Sequence, residues 1–312
     1  MFEPAGECWV CGGRERSRVH EYRFDFREYA VQDPELAQYT GQQGWLVRCA
    51  ACGFGQPECL PTLPRYFDRM YDQRWSTEWV EQEFEARYKD FIFRTILRTL
   101  EHGVPPEHRR LLDVGAHAGR FMSLAQSRGW TVEGIELNPT TAACAARRTG
   151  APVHQVNAHT LGAGGRRYWA LTLTDVLEHI PQPVSLLKTI AALLEPGGIV
   201  AVKVPCGPAQ WRKERVVAAI RPSHEISLAG NLVHVNHFSP RSLALALARA
   251  GFSDVRVGAG APELLPVDRG SRLRRAASNA LRVAVYAAAS APGGVHTPLA
   301  LNLQAYARRP RS

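Results

Sequence analysis

The sequence predicts an α/β protein: an open, mostly parallel sheet with helices on both faces, preceded by a small separate N-terminal domain. Three observations predict it. Residues 111–136 carry a strand–glycine loop–helix–strand signature. Apolar runs of strand length then alternate with helical periodicity towards the C-terminus. Four cysteines form two Cys-x-x-Cys pairs before residue 53. With 312 residues and 45% hydrophobic content, the chain has enough material for one full α/β core and one small extra domain.

The N-terminal pairs are Cys8-x-x-Cys11 and Cys49-x-x-Cys52, with 37 residues between them and a glycine, Gly12 or Gly53, after each. The cysteine count is seven, an odd number. In a reducing compartment two such pairs read as a tetrahedral four-thiolate zinc site with no open position, so the ion should hold the fold and do no chemistry. Residues 1–62 are expected to form a zinc ribbon, ended by the proline cluster Pro57, Pro61 and Pro64. Residues 63–104 are expected to be an aromatic-rich helical connector or lid. Its core, Tyr66 to Leu100, carries Phe67, Tyr71, Trp75, Trp79, Phe84, Tyr88 and Phe91 at near-helical spacing.

Leu111 to Val114 is a short apolar run fit for a buried parallel strand, stopped by Gly115 and Gly119 where a helix must begin. Phe121 to Arg128 has helical periodicity closed by Gly129, and Thr131 to Ile135 supplies the next strand. Glu136, 23 residues after Asp113, ends that strand. A carboxylate there accepts hydrogen bonds from both hydroxyls of a ribose, so an adenosine-type nucleoside is the expected ligand. A dinucleotide fingerprint is excluded, because G-x-G-x-x-G would need glycine at His117 and Arg120.

The pattern that is present, Asp113-x-Gly115-x-x-x-Gly119, resembles motif I of class I S-adenosylmethionine-dependent methyltransferases, with His117 at a usual glycine. The resemblance continues in order. Val153 to Val156 is a third strand followed by Asn157-Ala158, Tyr168 to Thr174 a fourth leading into Asp175-Val-Leu-Glu-His179, and Ile199 to Val204 a fifth after Leu193-Leu-Glu-Pro-Gly-Gly198. Asn236-His-Phe-Ser-Pro240 and the helix Arg241 to Ala250 match the family's late region, and the final strand is expected at Leu299 to Ala307. One departure is Tyr168-Trp169 where the family has Phe-Asp. The resemblance implies a Rossmann-like seven-stranded class I methyltransferase sheet over 105–312. It implies S-adenosylmethionine as cofactor, held by Asp113, Gly115, Ala116, His117, Gly119, Glu136, Leu137, Asn157, Ala158 and Asp175. Residues 207–238 are expected to insert at the ligand-binding edge as a substrate cap.

Methyl transfer from a sulfonium is an in-line displacement, so the protein mainly positions the acceptor and takes its proton. His179, His234 and His237 are the candidate bases. The ribbon, aromatic helix and methyltransferase unit together resemble the zinc-containing sugar C-methyltransferases acting on nucleotide-linked deoxysugars. Gly53-Phe-Gly-Gln56 and Tyr71 to Ser76 match that group's segments, which adds Tyr71 to the catalytic candidates. The group's Tyr-His-Glu-His run is matched only at His234 and Phe238-Ser239, and the length leaves no room for its third domain. The expected acceptor is therefore a small molecule of sugar, nucleotide-sugar, glycan or natural-product type, methylated on carbon or oxygen.

The alternative is an rRNA or tRNA methyltransferase gripping nucleic acid with the ribbon, for which Cys206 at the fifth strand's end would be a candidate nucleophile. A non-catalytic cofactor-binding subunit is a third reading, motivated by His117 in the glycine loop. The net charge of +9 comes almost wholly from arginine and is weak support for a nucleic-acid face. The arginine-bearing helix expected at 268–290 is read as a solvated face, with a peripheral membrane contact or a hold on a diphosphate-bearing substrate as the alternatives. No signal-peptide pattern or membrane-span run is seen, so a cytoplasmic protein is expected.

Overall fold

The computed structural model describes residues 1–72, 77–157, 166–221, 223–226, 228–266 and 271–311, without the side chains of 71, 72 and 77. The N-terminal part contains β1 (Phe2–Pro4), β2 (Arg16–Arg23), α1 (Pro34–Ala37), β3 (Gln43–Cys49), β4 (Gly55–Pro57) and β5 (Cys59–Pro61). β2, β3 and β4 form an antiparallel sheet, and β1 pairs with β5. Its aromatic core is Tyr22, Phe24, Phe26, Tyr39 and Tyr66, with rings packed edge to face.

The stretch expected as one helical connector is three helices with three different partners: α2 (Tyr66–Asp72), α3 (Thr77–Ala86) and α4 (Asp90–Gly103). α2 belongs to the aromatic core of the N-terminal part. α3 rests through Val80 and Phe84 on Ala118 and Cys144, and α4 buries Ile92, Phe93, Ile96, Leu97 and Leu100 on the large sheet. The break between α3 and α4 falls at Arg87, whose φ of 54° is left-handed.

The large sheet is built from β6 (Arg110–Val114), α5 (Arg120–Gln126), β7 (Thr131–Ile135), α6 (Pro139–Thr149), β8 (Val153–His154), β9 (Tyr168–Thr174), α7 (Pro183–Leu193) and β10 (Leu194–Pro205). It is completed by α8 (Gly207–Ile220), α9 (Pro240–Arg249), β11 (Ser253–Ala259), α10 (Arg272–Ala289) and β12 (Asn302–Arg308). The order is β11-β12-β10-β9-β6-β7-β8, with β12 antiparallel to both neighbours and the others parallel. The chain leaves β6 towards β7 and β8, then returns to β9 on the other side. The carboxyl ends of β6 and β9 therefore flank a topological switch point, where open sheets bind ligands.

Most boundaries agree with the sequence reading. β10 starts at Leu194 because that residue already pairs with Tyr168 across an irregularity, and the last strand is displaced to Asn302–Arg308. α10 buries only Ala289, with Leu273 and Leu281 exposed on the helix that carries Arg272, Arg274, Arg275 and Arg282. Among the described residues no helix is long and apolar enough to cross a membrane.

Candidate active site

A cavity of about 820 Å³ opens at the switch point. One wall is the loop after β6. Gly115 has φ +77°, and a Cβ there would stand 2.4 Å from Val176 Cγ2, so the backbone passes where no side chain fits. Gly115 and Ala116 both donate their N–H to Ile135 O, which ties the loop to the end of β7. His117 has φ 48°, left-handed, which explains why this position usually takes glycine. Its N–H donates to Glu136 Oε2 at 2.8 Å, while Asn138 N–H donates to Oε1 at 3.0 Å. The Glu136 carboxyl is thus aimed along the cavity wall by two backbone donors, and burial raises its pKa against their pull.

Asp113, fully buried at the end of β6, accepts from Thr172 Oγ1 at 2.7 Å. Burial, with the Glu136 charge behind it, pushes its carboxyl up to about 7 against the lowering effect of Thr172. The His117 imidazole meets Trp79 edge to face at 5.5 Å, and burial together with Lys89 pushes it down to about 4, so the ring is neutral near pH 7.

The other end of the cavity lies past β9. Asp175 has φ 56° and receives Lys89 Nζ at 2.9 Å as well as Lys203 Nζ. Burial opposes its ionisation, but the two ammonium groups win and hold the carboxyl below the usual range. Burial likewise lowers Lys89, but Asp175, Tyr88 and Glu263 outweigh it and raise the ammonium. His179 follows in a one-turn 3-10 helix, Leu177–His179, and its Nδ1 lies 2.5 Å from Val233 O. A carbonyl only accepts, so Nδ1 bears a proton. The His234 ring stands 4.9 Å from that of His179, edge to face. Leu60, Pro61, Tyr66 and Phe67 close this end, so the N-terminal part supplies a wall of the site.

The four cysteines converge as expected from their spacing. Their sulfurs lie within 4.8 Å of one another, with Cys8–Cys52 and Cys11–Cys49 both at 3.5 Å and none in a disulfide. A tetrahedron with Zn–S near 2.3 Å needs S···S separations of about 3.8 Å, so the donor set fits a four-thiolate ion. Each pair turns alike. Gly12 N–H donates to Cys8 O and Gly53 N–H to Cys49 O, and both glycines have φ +75°.

A family model described as a methyltransferase domain matches residues 84–257. The chain belongs to the methyltransferase-domain family. Its curated relatives include ubiquinone biosynthesis O-methyltransferases. The one from Paracidovorax citrulli is 30% identical over 127 residues, 38% of this chain and 53% of that protein. The one from a Caulobacter species is 36% identical over 104 residues, 31% and 41%. The chain thus spans about half the length of the curated relatives it matches. Among solved structures, a magnesium protoporphyrin IX methyltransferase from Synechocystis aligns at TM-score 0.50 and 12% identity over 78% of this chain and 93% of that one. A complex of the Haloferax volcanii Trm112 activator with a methyltransferase aligns at 0.52 and 15% over 75% and 97%. These two share the fold.

Within this methyltransferase domain the cavity gathers Asp113, Gly115, Ala116, His117, Glu136, Leu137, Asn157, Asp175, His179 and His234 from the sequence reading. Two expected site residues stand elsewhere. Gly119 does not line the cavity. A Cβ there would meet the Ala145 backbone at 2.9 Å, so the glycine serves the close approach of α5 to α6. His237 is buried behind the wall, paired through its backbone with Gly55 and packed against Trp211, and burial pushes its ring down to about 3. Tyr71 and Ala158 fall outside the described side chains and residues. Of the expected cap, Val233 and His234 reach the cavity, whereas α8 lies against β2 through Trp211 on His20 and Arg215 on Val19 O. Cys206 is buried away from the cavity and burial raises its thiol, which gives it no nucleophilic character.

Lys89, Lys203, Trp79 and Glu178 were missed. In a chain whose positive charge is nearly all arginine, a lysine is itself a signal, and two of the few meet on Asp175.

Proposed function

We propose that the chain is an S-adenosylmethionine-dependent methyltransferase acting on a small molecule, with a structural zinc ion on Cys8, Cys11, Cys49 and Cys52. The observation that carries the reading is continuity. One cavity runs from the backbone-aimed carboxyl of Glu136 to the His179–His234 pair, so a nucleoside-bearing ligand and an acceptor share one enclosure. Its volume sits high in the roughly 300–1,000 Å³ range of small-molecule sites, which suits a cofactor plus a modest acceptor.

The cofactor supplies a sulfonium methyl group for in-line transfer. Glu136 offers its oxygens to the ribose hydroxyls, and Leu137 and Asn157 flank the place for the base. Gly115 leaves room for the chain leading to the sulfur. His179 and His234 act on the acceptor side. Leu60, Pro61 and Phe67 present apolar and ring surface to it, in keeping with a sugar-type or natural-product intermediate.

The test is incubation with methyl-labelled S-adenosylmethionine and fractionated small-molecule and RNA pools. Label in small molecules or lipid-linked glycans is expected. Label in RNA would replace this acceptor class with nucleic acid, and failure to bind S-adenosylhomocysteine would remove the enzyme reading altogether.

A further inference from the structure

The helix α10 is turned inside out: it grips the domain with polar groups and shows water its hydrocarbon. Asn279 Oδ1 accepts from Leu265 N–H at 2.8 Å, and Asn279 Nδ2 donates to Leu265 O at 3.3 Å. Arg282 donates to Glu263 O at 2.9 Å, and Tyr286 meets Phe91 edge to face at 5.9 Å. Positions 279, 282, 286 and 289 form one stripe at helical spacing, with Ala289 buried at its end. The opposite stripe is Leu273, Ala277, Ala280, Leu281, Ala284 and Ala288, and every one of these residues is exposed. Leu273 is 83% exposed and Leu281 66%. A surface helix ordinarily carries charged and polar residues on its outward face, and here that face carries none.

The charge sits at the edges of the apolar stripe. With 3.6 residues to a turn, Arg272 and Arg274 lie about 100° to either side of Leu273. Arg272, Arg274 and Arg275 open the helix, and its first turn holds no acid. That is the wrong sign for the positive end of a helix dipole, and the N-cap residue Ser271 makes no side-chain bond to the first N–H groups. An anion over the first turn would relieve both defects. From residue 269 to residue 301 the chain itself holds five arginines and no aspartate or glutamate.

We propose that the outward face of α10 docks on an anionic lipid surface. The helix lies flat in the headgroup layer, with Leu273, Leu281 and the alanines between them towards the acyl chains and Arg272 and Arg274 among the phosphates at either edge. The apolar side chains are mostly small, so insertion is shallow and binding needs the charge as well as the hydrocarbon. Pairing α10 with its own copy would cover the leucines but add the same arginines and no acid, and nucleic acid would meet the arginines but leave the leucines in water. The docking does not rest on the methyltransferase reading, yet it bears on the site. Leu264 N–H donates to Tyr88 O at 2.9 Å and Tyr88 lines the cavity, so the segment that α10 grips runs directly to the cavity wall.

The test is co-sedimentation of the full chain with vesicles of phosphatidylcholine alone or mixed with phosphatidylglycerol. Binding is expected on the mixed vesicles only, and it should weaken as salt is raised. Arg272→Gln combined with Arg274→Gln should lower the partition coefficient about 25-fold, at about 5-fold for each arginine near an anionic surface. Leu273→Glu combined with Leu281→Glu removes hydrocarbon and adds repulsion, and should lower it at least as far. All four positions are exposed, so both double variants should keep the helical content of the wild type by circular dichroism. No binding of the wild type to mixed vesicles overturns the proposal, as does equal binding to both vesicle types or binding that neither double variant weakens. A wild type that stays off both vesicles and sediments as a dimer, broken by the leucine variant, overturns it in favour of a second copy on this face.

Discussion

Replacing Glu136 by glutamine should do more harm than its shape suggests. The carboxylate accepts from His117 N–H at 2.8 Å on one oxygen and from Asn138 N–H at 3.0 Å on the other, and the residue is 6% exposed. A glutamine amide has one acceptor and one NH₂, so in either orientation an NH₂ faces a buried backbone N–H. A buried donor left unpaired costs about 1–3 kcal/mol, and the surviving bond loses its charge assistance, roughly another 1 kcal/mol. Against this, removing the charge ends a burial penalty, which the raised pKa of Glu136 shows to be present, and ends its repulsion of Asp113. The net expectation is a loss of about 2 kcal/mol of stability. Urea unfolding without ligand reads it as a lower midpoint at unchanged slope. Calorimetry with S-adenosylhomocysteine should show affinity reduced about 10-fold or more, since only one ribose hydroxyl keeps an acceptor. A Glu136→Gln protein within about 0.5 kcal/mol of wild type would refute the reasoning, because that is the scatter of an uninvolved surface change.

Gly115→Ala and Gly119→Ala should separate cofactor binding from packing. The first places a Cβ 2.4 Å from Val176 Cγ2 beside the cavity and should abolish S-adenosylhomocysteine binding. The second strikes Ala145 backbone and should lower the unfolding free energy by about 2–3 kcal/mol, with calorimetry showing weaker loss of affinity. Asp113 gives a pH signature. Its folded pKa of about 7 lies above the unfolded value, so its contribution is fully present below about pH 4 and is lost as pH rises through 7. Stability of Asp113→Asn relative to wild type should therefore rise between pH 4 and pH 8 by up to about 4 kcal/mol in urea unfolding; a flat difference would contradict the buried-carboxyl assignment.

The inner strands of the sheet were legible because they are mostly buried and read as largely apolar runs. Thr131–Ile135 and Tyr168–Thr174 are found at the expected bounds. The helical connector was not, since Arg87 breaks it with a left-handed backbone that no glycine announces. The cofactor end of the site was legible because the loop and Glu136 sit on one local β-α-β unit. The acceptor end depends on pairs distant in sequence, such as Lys89 with Asp175 and Glu178 with Asn236. Three histidines in that region looked equivalent by spacing. Pairing with Gly55 buries His237, while His234, three residues earlier, reaches the cavity.

That pairing also decides what the cysteine site does for the rest of the molecule. Gly55 and His237 exchange both backbone hydrogen bonds, Ser239 Oγ reaches Cys52 O at 3.4 Å, and Phe54 packs on Phe238 at 5.1 Å. Arg249 of α9 reaches Val10 O at 3.2 Å, and Cys8, Cys49, Cys52 and Phe54 share one apolar core with β6, β9 and β10. The second cysteine turn is therefore the abutment of the loop that carries His234, not a distant appendage. Structural zinc contributes on the order of 10 kcal/mol to small thiolate domains, so stripping the proposed ion should release this abutment along with the turns themselves. Hydrogen exchange after treatment with a thiol-reactive mercurial and chelator should quicken at 8–13 and 49–57 and equally at 233–239. Residues 110–138, anchored by β6, β7 and Glu136, should keep their protection and the protein its affinity for S-adenosylhomocysteine. Quickening confined to the cysteine turns would show that the loop stands without them, and the acceptor wall would then owe nothing to the metal.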